Sequence, residues 1–324
     1  MAYQSVGTSR FYVNVLEWLA ATGYLSSINN IHRTLPVTPM PYSYSAYGIP
    51  NMLTDKSFVA ILGHNLVTKS FTYEVDSWAS EASIVNADPS YDGFSISIFN
   101  GTDLESLALT IPQAQEANLA DIGSIVMGTY YDMPHSPDLS LTLTRDYSNI
   151  KTIETKGGST LSNDFGSKPP AWEDLGAWEL HDPSTGNPTN QALSRSGRRI
   201  WSLSFSYLAA KDIMGAPEVV DQSPATAELG GGDALTPNLV GLGWDSDDVD
   251  DNDSFAYNLM NHNDFYSQVI HKTNGGQLPF IFQPDSSNNS PDAFAIAKLD
   301  MNSFKFEQVA NGVYNIKLKI REVW

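Results

Sequence analysis

Six stretches of the chain alternate apolar and polar side chains residue by residue: Arg10-Phe-Tyr-Val-Asn-Val15, Ser70-Phe-Thr-Tyr-Glu-Val75, Gly93-Phe-Ser-Ile-Ser-Ile-Phe99, Ser140-Leu-Thr-Leu-Thr144, Trp201-Ser-Leu-Ser-Phe-Ser-Tyr207 and Tyr314-Asn-Ile-Lys-Leu-Lys-Ile320. A period of two sends successive side chains to opposite faces of a pleated strand, so each stretch predicts an antiparallel strand with one buried side. Helical periodicity is scarce. Asn14 to Thr22 predicts a short helix with Leu16, Leu19 and Ala20 inward, and Phe255 to Lys272 predicts another with Phe255, Leu259, Phe265, Val269 and Ile270 as its apolar set. Asp253 or Ser254 is the expected cap of the second helix, and Asn274-Gly-Gly276 its stop. The expected class is mainly β: two antiparallel β domains with one or two short helices.

A boundary is expected near Tyr130-Tyr-Asp-Met-Pro-His-Ser-Pro137, where two prolines interrupt the strand pattern. This divides the chain into residues 1–135 and 136–324. No tandem repeat of solenoid or propeller length is visible.

The 324 residues contain no cysteine, which removes disulfide scaffolds, thiolate metal sites and cysteine nucleophiles. No apolar run approaches a membrane span, and the first ten residues show neither a basic leader nor an apolar segment, so neither a span nor a secretory leader is expected. A formal net charge of −19 argues against nucleic acid as a partner. That charge is uneven: between Lys211 and Lys272 there is no Lys or Arg, yet 12 of the 37 acids lie there, and without them the rest of the chain carries −7. With Gly230-Gly-Gly232 and three prolines in the same interval, residues 216–254 read as an acidic loop excursion. Asp245, Asp247 and Asp250 within it are the candidate Ca²⁺ ligands, because hard cations want several oxygens on a tight loop. The glycine turn and closing Glu of the EF-hand are missing, and a solvated acidic loop accounts for the run better.

The six histidines never fall at the i, i+4 spacing of a helical metal site, and no nucleophile elbow, phosphate loop or dinucleotide fingerprint occurs. Thr155-Lys-Gly-Gly-Ser-Thr160 has phosphate-loop residue types at the wrong spacing and reads as a turn between strands. Glu173/Asp174 and Glu179/Asp182 beside Trp172 and Trp178 have the composition of a sugar cleft, but chance neighbourhoods of this kind are expected among so many acids. The expectation is no catalytic residue and no cofactor. Arg195, Arg198 and Arg199 form the one concentrated basic cluster. Pairing with carboxylates, in the acidic excursion or across a subunit contact, accounts for it better than nucleic acid does. Lys317, Lys319, Arg321 and Glu322 on the last strand, alternating against Ile316, Leu318 and Ile320, read as a charged outer face, and all six basic residues are assigned to subunit contacts.

Phe58-Val-Ala-Ile-Leu-Gly-His-Asn-Leu66, followed by Ala120-Asp-Ile-Gly-Ser-Ile-Val-Met-Gly-Thr129, resembles the galactose-binding-like (discoidin-type) β-sandwich of tailed-phage virion proteins. This implies that His64 and Asn65 are structural, bonded to the backbone. Arg195 to Tyr207, Gly275 to Phe282, Phe294 to Asp300 and Phe304 to Trp324 resemble, in that order, phage tail proteins of the distal-tail or minor-tail type. The chain as a whole resembles structural proteins of marine tailed phages, including those infecting cyanobacteria. The resemblance implies a virion location, a ring-type homo-oligomer touching other virion proteins, and a tail, baseplate or adaptor role. The alternatives it leaves are an adsorption module for a host surface glycan and a capsid-surface decoration protein.

Overall fold

The computed structural model describes residues 6–23, 33–35, 40–42, 44–48, 53–64, 73–77, 80–85, 90–91, 94–101, 106–110, 120–147, 150–164, 197–214, 263–290 and 293–323. In chain order these form β1 (Arg10–Asn14), α1 (Val15–Ala21), β2 (Met40–Tyr42), β3 (Tyr44–Gly48), β4 (Ser57–Leu62), β5 (Tyr73–Ser77), β6 (Ser80–Val85), β7 (Ser90–Tyr91), β8 (Phe94–Phe99), β9 (Ser106–Thr110), β10 (Ala120–Ile122), β11 (Ser124–Asp132), β12 (Thr142–Asp146), β13 (Ile150–Glu154), β14 (Thr160–Asp164), β15 (Arg198–Ala209), α2 (Ala210–Ile213), a π-helical turn (Tyr266–Ile270) that tightens into a 3-10 turn (His271–Thr273), β16 (Phe280–Gln283), β17 (Ala295–Leu299), β18 (Phe306–Ala310) and β19 (Val313–Glu322). The protein is mainly β and antiparallel, with few short helices.

Eleven strands make one large sheet in the order β12-β15-β19-β17-β16-β1-β11-β4-β8-β7, with β18 also paired to β19. A four-stranded sheet (β3-β9-β5-β6) and the pairs β2–β10 and β13–β14 complete the described strands. All six alternating stretches overlap described strands, namely β1, β5, β8, β12, β15 and β19.

The middle of the large sheet is apolar on both sides. One layer joins Phe11, Trp201, Phe205, Phe282 and Ile320 to Phe265 and Val269 of the helical turn. The opposite layer joins Tyr12, Phe58, Phe94, Ile281 and Phe294. Phe11 packs edge-on against Phe265 at 5.4 Å between centroids, while its neighbour Tyr12 packs edge-on against Phe58 at 5.0 Å. The one-sided burial expected of β1 therefore gives way to burial on both faces, and the phenol of Tyr12 is accommodated by donating to Gln283 Oε1 at 2.9 Å.

The expected boundary at 135/136 does not break this sheet. Strand β1 pairs with β11 along one edge and with β16 along the other, so strands from both sides of the boundary are neighbours in one ladder. The reason is chain order: the first described strand sits in the middle of the sheet, where apolar strands from either half can cover it.

Helix α1 starts where expected, with Asn14 accepting the Glu17 N–H at 3.3 Å. Leu16 and Leu19 face inward, but Trp18 takes the buried place expected of Ala20, which is half-buried. Of the second expected helix, residues 263–272 are described. Asp264 caps them, accepting from Ser267 N–H and Oγ at 2.8 Å each, and Asn274 ends them at φ 51° with Gly275 and Gly276 also at positive φ. The expected caps Asp253 and Ser254 lie outside the described residues. Thr155-Lys-Gly-Gly-Ser-Thr160 is the turn joining β13 to β14, with Gly158 at φ 78° and its N–H donating to the Thr155 carbonyl at 2.9 Å.

Candidate assembly interface

Strands β15 and β19 bury alternate residues and expose the others. Trp201, Leu203 and Phe205 face inward with Ile316, Leu318 and Ile320, while Ser202, Lys317 and Lys319 are exposed. The register sets Ser202 opposite Lys319 and Ser204 opposite Lys317, so the outer face is a lattice of hydroxyls and ammonium groups. With Ser140, Asp300 and Met301 these residues line a shallow groove of about 440 Å³. Lys319 and Asp300 pair within it at 2.7 Å, and farther along β19 Arg321 pairs with Asp146 at 2.6 Å. The Lys319–Asp300 pair is half-exposed and contributes little to stability, while both members of the Arg321–Asp146 pair are half-buried.

Strand β15 is bulged between Phe205 and Leu208. Tyr207 occupies the bulge at φ 63°, with its N–H donating to Asn315 Oδ1 at 3.0 Å, and its side chain is 80% exposed. Bulges re-aim side chains, and here the result is an aromatic ring held out into solvent.

Beyond β15 lies β12, the terminal strand of the sheet, with β15 as its one neighbour among the described residues. Leu139, Leu141 and Leu143 are all exposed there. The β13–β14 hairpin that follows has Ile153 opposite Leu161, both more than 60% exposed. A two-stranded hairpin carrying an uncovered apolar pair is marginal in water by itself.

The assigned contact residues separate into two groups. Lys317, Lys319 and Arg321 share the outer face as expected. Arg199 does not join them. It is buried, lies at 5.2 Å over the Trp201 ring, and bonds Glu322 through its backbone N–H (2.8 Å) and through Nη2 (2.9 Å), with Nη2 also donating to the Phe294 carbonyl at 2.6 Å. The parity of the strands explains this correction: position 199 falls on the inward face with Trp201 and Leu203, and Glu322, expected beside the outer charges, falls inward with Ile320. Arg198, half-buried at the start of β15, stands opposite Asp146. Arg195, the Asp245, Asp247 and Asp250 set, Asn65, and the Trp172–Asp182 acid cluster lie outside the described residues.

Two buried titratable groups escaped sequence reasoning as to their surroundings. His64, fully buried, is bonded through Nε2 to Ser95 Oγ at 2.8 Å, and burial pushes its pKa down to about 3, so the ring is neutral. Backbone partners were expected for it, whereas this bond is to a side-chain hydroxyl. Lys272, also fully buried, donates to Gln268 Oε1 at 2.8 Å, and Thr129 Oγ1 donates to the same oxygen at 3.1 Å. Burial lowers the Lys272 pKa to about 7 against an opposing pull from Asp264. The i, i+4 spacing of Gln268 and Lys272 on the expected helix was the sequence signal for their contact.

Among the described residues no cluster of three or more His, Asp or Glu side chains is placed to hold a metal ion, and no helix is long and apolar enough to cross a membrane. The geometry thus defines an antiparallel β protein with a doubly covered centre and one uncovered wing. No family model, curated protein or solved structure matches the chain.

Proposed function

We propose that this chain is a non-enzymatic structural subunit of a tailed-phage particle, a baseplate, distal-tail or adaptor component that assembles with copies of itself and with other particle proteins. The observation that carries the reading is the uncovered wing: a terminal strand, a hairpin and three leucines stand exposed beside a sheet whose centre is buried on both faces. Surfaces of that kind mark contacts with other chains. The tail-type resemblance supports the particle setting, since its stretches coincide with β15, β16, β17 and β19, four strands adjacent in one sheet. Negative-stain microscopy of purified particles labelled with an antibody to this chain tests the proposal. Labelling at the tail is expected, and absence from particles contradicts it.

A second reading, a carbohydrate-binding adsorption module, is favoured by the exposed Tyr207 on the strand that also supplies hydroxyls to the outer groove. Glycan-array binding lost in Tyr207→Ala would favour it over a purely structural role.

A further inference from the structure

We propose that β12 is a pairing edge for a second copy of this chain, joined antiparallel about a two-fold axis at Leu143. The inference deepens the subunit reading above and rests on it. One cross-strand row carries the argument. Leu299, Ile320, Trp201 and Leu143 are successive neighbours across β17, β19, β15 and β12, and their exposures are 7%, 0%, 5% and 49%. Among the described residues the apolar layer runs to the last strand and ends there at the exposed Leu143. A further strand laid along β12 continues the layer and uses the backbone groups of the open edge.

The charges of β12 are confined to its far end, at Arg145 and Asp146. Leu139-Ser-Leu-Thr-Leu-Thr144 carries no charge and no proline, whereas the other end of the sheet closes with β7, a strand of two residues. The occupant follows from the pattern. Antiparallel pairing centred on Leu143 sets Leu143 against Leu143 of the second copy, Thr142 against Thr144, Leu141 against Arg145 and Ser140 against Asp146. No like charges meet, hydroxyl faces hydroxyl, and the apolar row becomes Trp201–Leu143–Leu143–Trp201 across the axis. For chains that each carry −19, an edge uncharged at its centre, whose self-pairing sets Arg145 and Asp146 against neutral residues, is a place where two copies meet with little repulsion. The contact is isologous and closes at two copies, so a ring is built from such dimers through another surface.

The cysteine-free chain gives a direct test in its full-length form. Leu143→Cys brings two thiols together at the axis, because directly opposed Cα atoms of an antiparallel pair lie about 4.5–5.5 Å apart, within disulfide range. Mild oxidation is expected to convert most of Leu143→Cys into a covalent dimer and to leave Ile98→Cys, exposed near the other end of the sheet, uncrosslinked. Leu143→Lys sets two ammonium groups opposite each other and is expected to weaken the dimer by roughly tenfold or more in sedimentation, with unchanged circular dichroism. A Leu143→Cys chain that stays uncrosslinked, crosslinks no better than Ile98→Cys, or a Leu143→Lys chain that associates as tightly as the parent overturns the contact. If other contacts then still hold the chain in labelled particles, the subunit role survives the loss of this inference, and absence of the chain from particles removes the role itself.

Discussion

Strand β4 is buried at all six of its positions, whereas β15, in the same sheet, buries alternate residues and presents the others to solvent. The two regions share an antiparallel ladder and differ in what covers them. On the β4 side both faces meet apolar layers, and polar groups that enter, such as His64 with Ser95, are buried with a partner in place. In the wing one face joins the main core and the other carries serines, lysines and an out-turned tyrosine. The centre is thus a scaffold that tolerates no insertion, and the wing is a surface that tolerates substitution and is available for contact.

The sharpest way to break the comparison is at Gly128 in β11. A Cβ there would lie 2.0 Å from the Val13 carbonyl oxygen and 2.7 Å from the Val15 nitrogen, both backbone atoms at the turn from β1 into α1. Gly128→Val is expected to cost more than about 4 kcal/mol, read as loss of a cooperative unfolding transition.

The buried pair where wing meets core comes next. Removing one partner leaves a buried charge, so Glu322→Gln and Arg199→Met are each expected to cost about 3–5 kcal/mol in denaturant melts. The double variant Arg199→Met/Glu322→Leu recovers part of that loss, because neither charge remains to be desolvated, while the Arg199 N–H loses its carboxylate acceptor.

Lys272 provides a pH test of the centre. The unfolded side chain titrates near the ordinary 10.5 and the folded one near 7. Between those values the unfolded state holds the extra proton, so stability rises as pH rises through this window, and below about 7 the full penalty of a buried ammonium stands. Lys272→Met removes the penalty and leaves Thr129 bonded to Gln268. It is expected to raise stability by about 2 kcal/mol at pH 6 and by progressively less toward pH 10, measured by thermal melts across that range.

Smallest of all are changes on the outer face. Lys317→Ala and Ser202→Ala, both exposed, are expected to shift stability by no more than about 0.5 kcal/mol, with unchanged melting curves as the check.

Legibility followed the same division. The wing was readable because one-sided burial writes a period of two: Trp201 to Phe205 and Tyr314 to Ile320 announced both the strands and their faces, whereas Tyr207, inward by the same parity, is turned out by the bulge. Carrying that parity two residues further, to Arg199 and Glu322, was enough to place the buried ion pair, which charge alone had suggested for the surface. The centre was less readable. Phe58 to Leu62 and Phe280 to Phe282 are continuous apolar runs with no periodicity to separate a doubly buried strand from a helix. The joining of residues on both sides of position 135 in one sheet depends on β1 pairing with β16, a contact across some 270 residues that no local pattern encodes. The exposed edge was visible as an alternating stretch, but its position at the end of the sheet was not, since strand order is a tertiary property.

Hydrogen exchange of the full chain, diluted to its free form and then incorporated in particles, tests the central claim most directly. The account predicts that amides of Thr142–Asp146 and of the β13–β14 hairpin gain protection on assembly while those of Ser57–Leu62 are protected alike in both states. Unchanged exchange in Thr142–Asp146, with new protection confined to other strands, would contradict it.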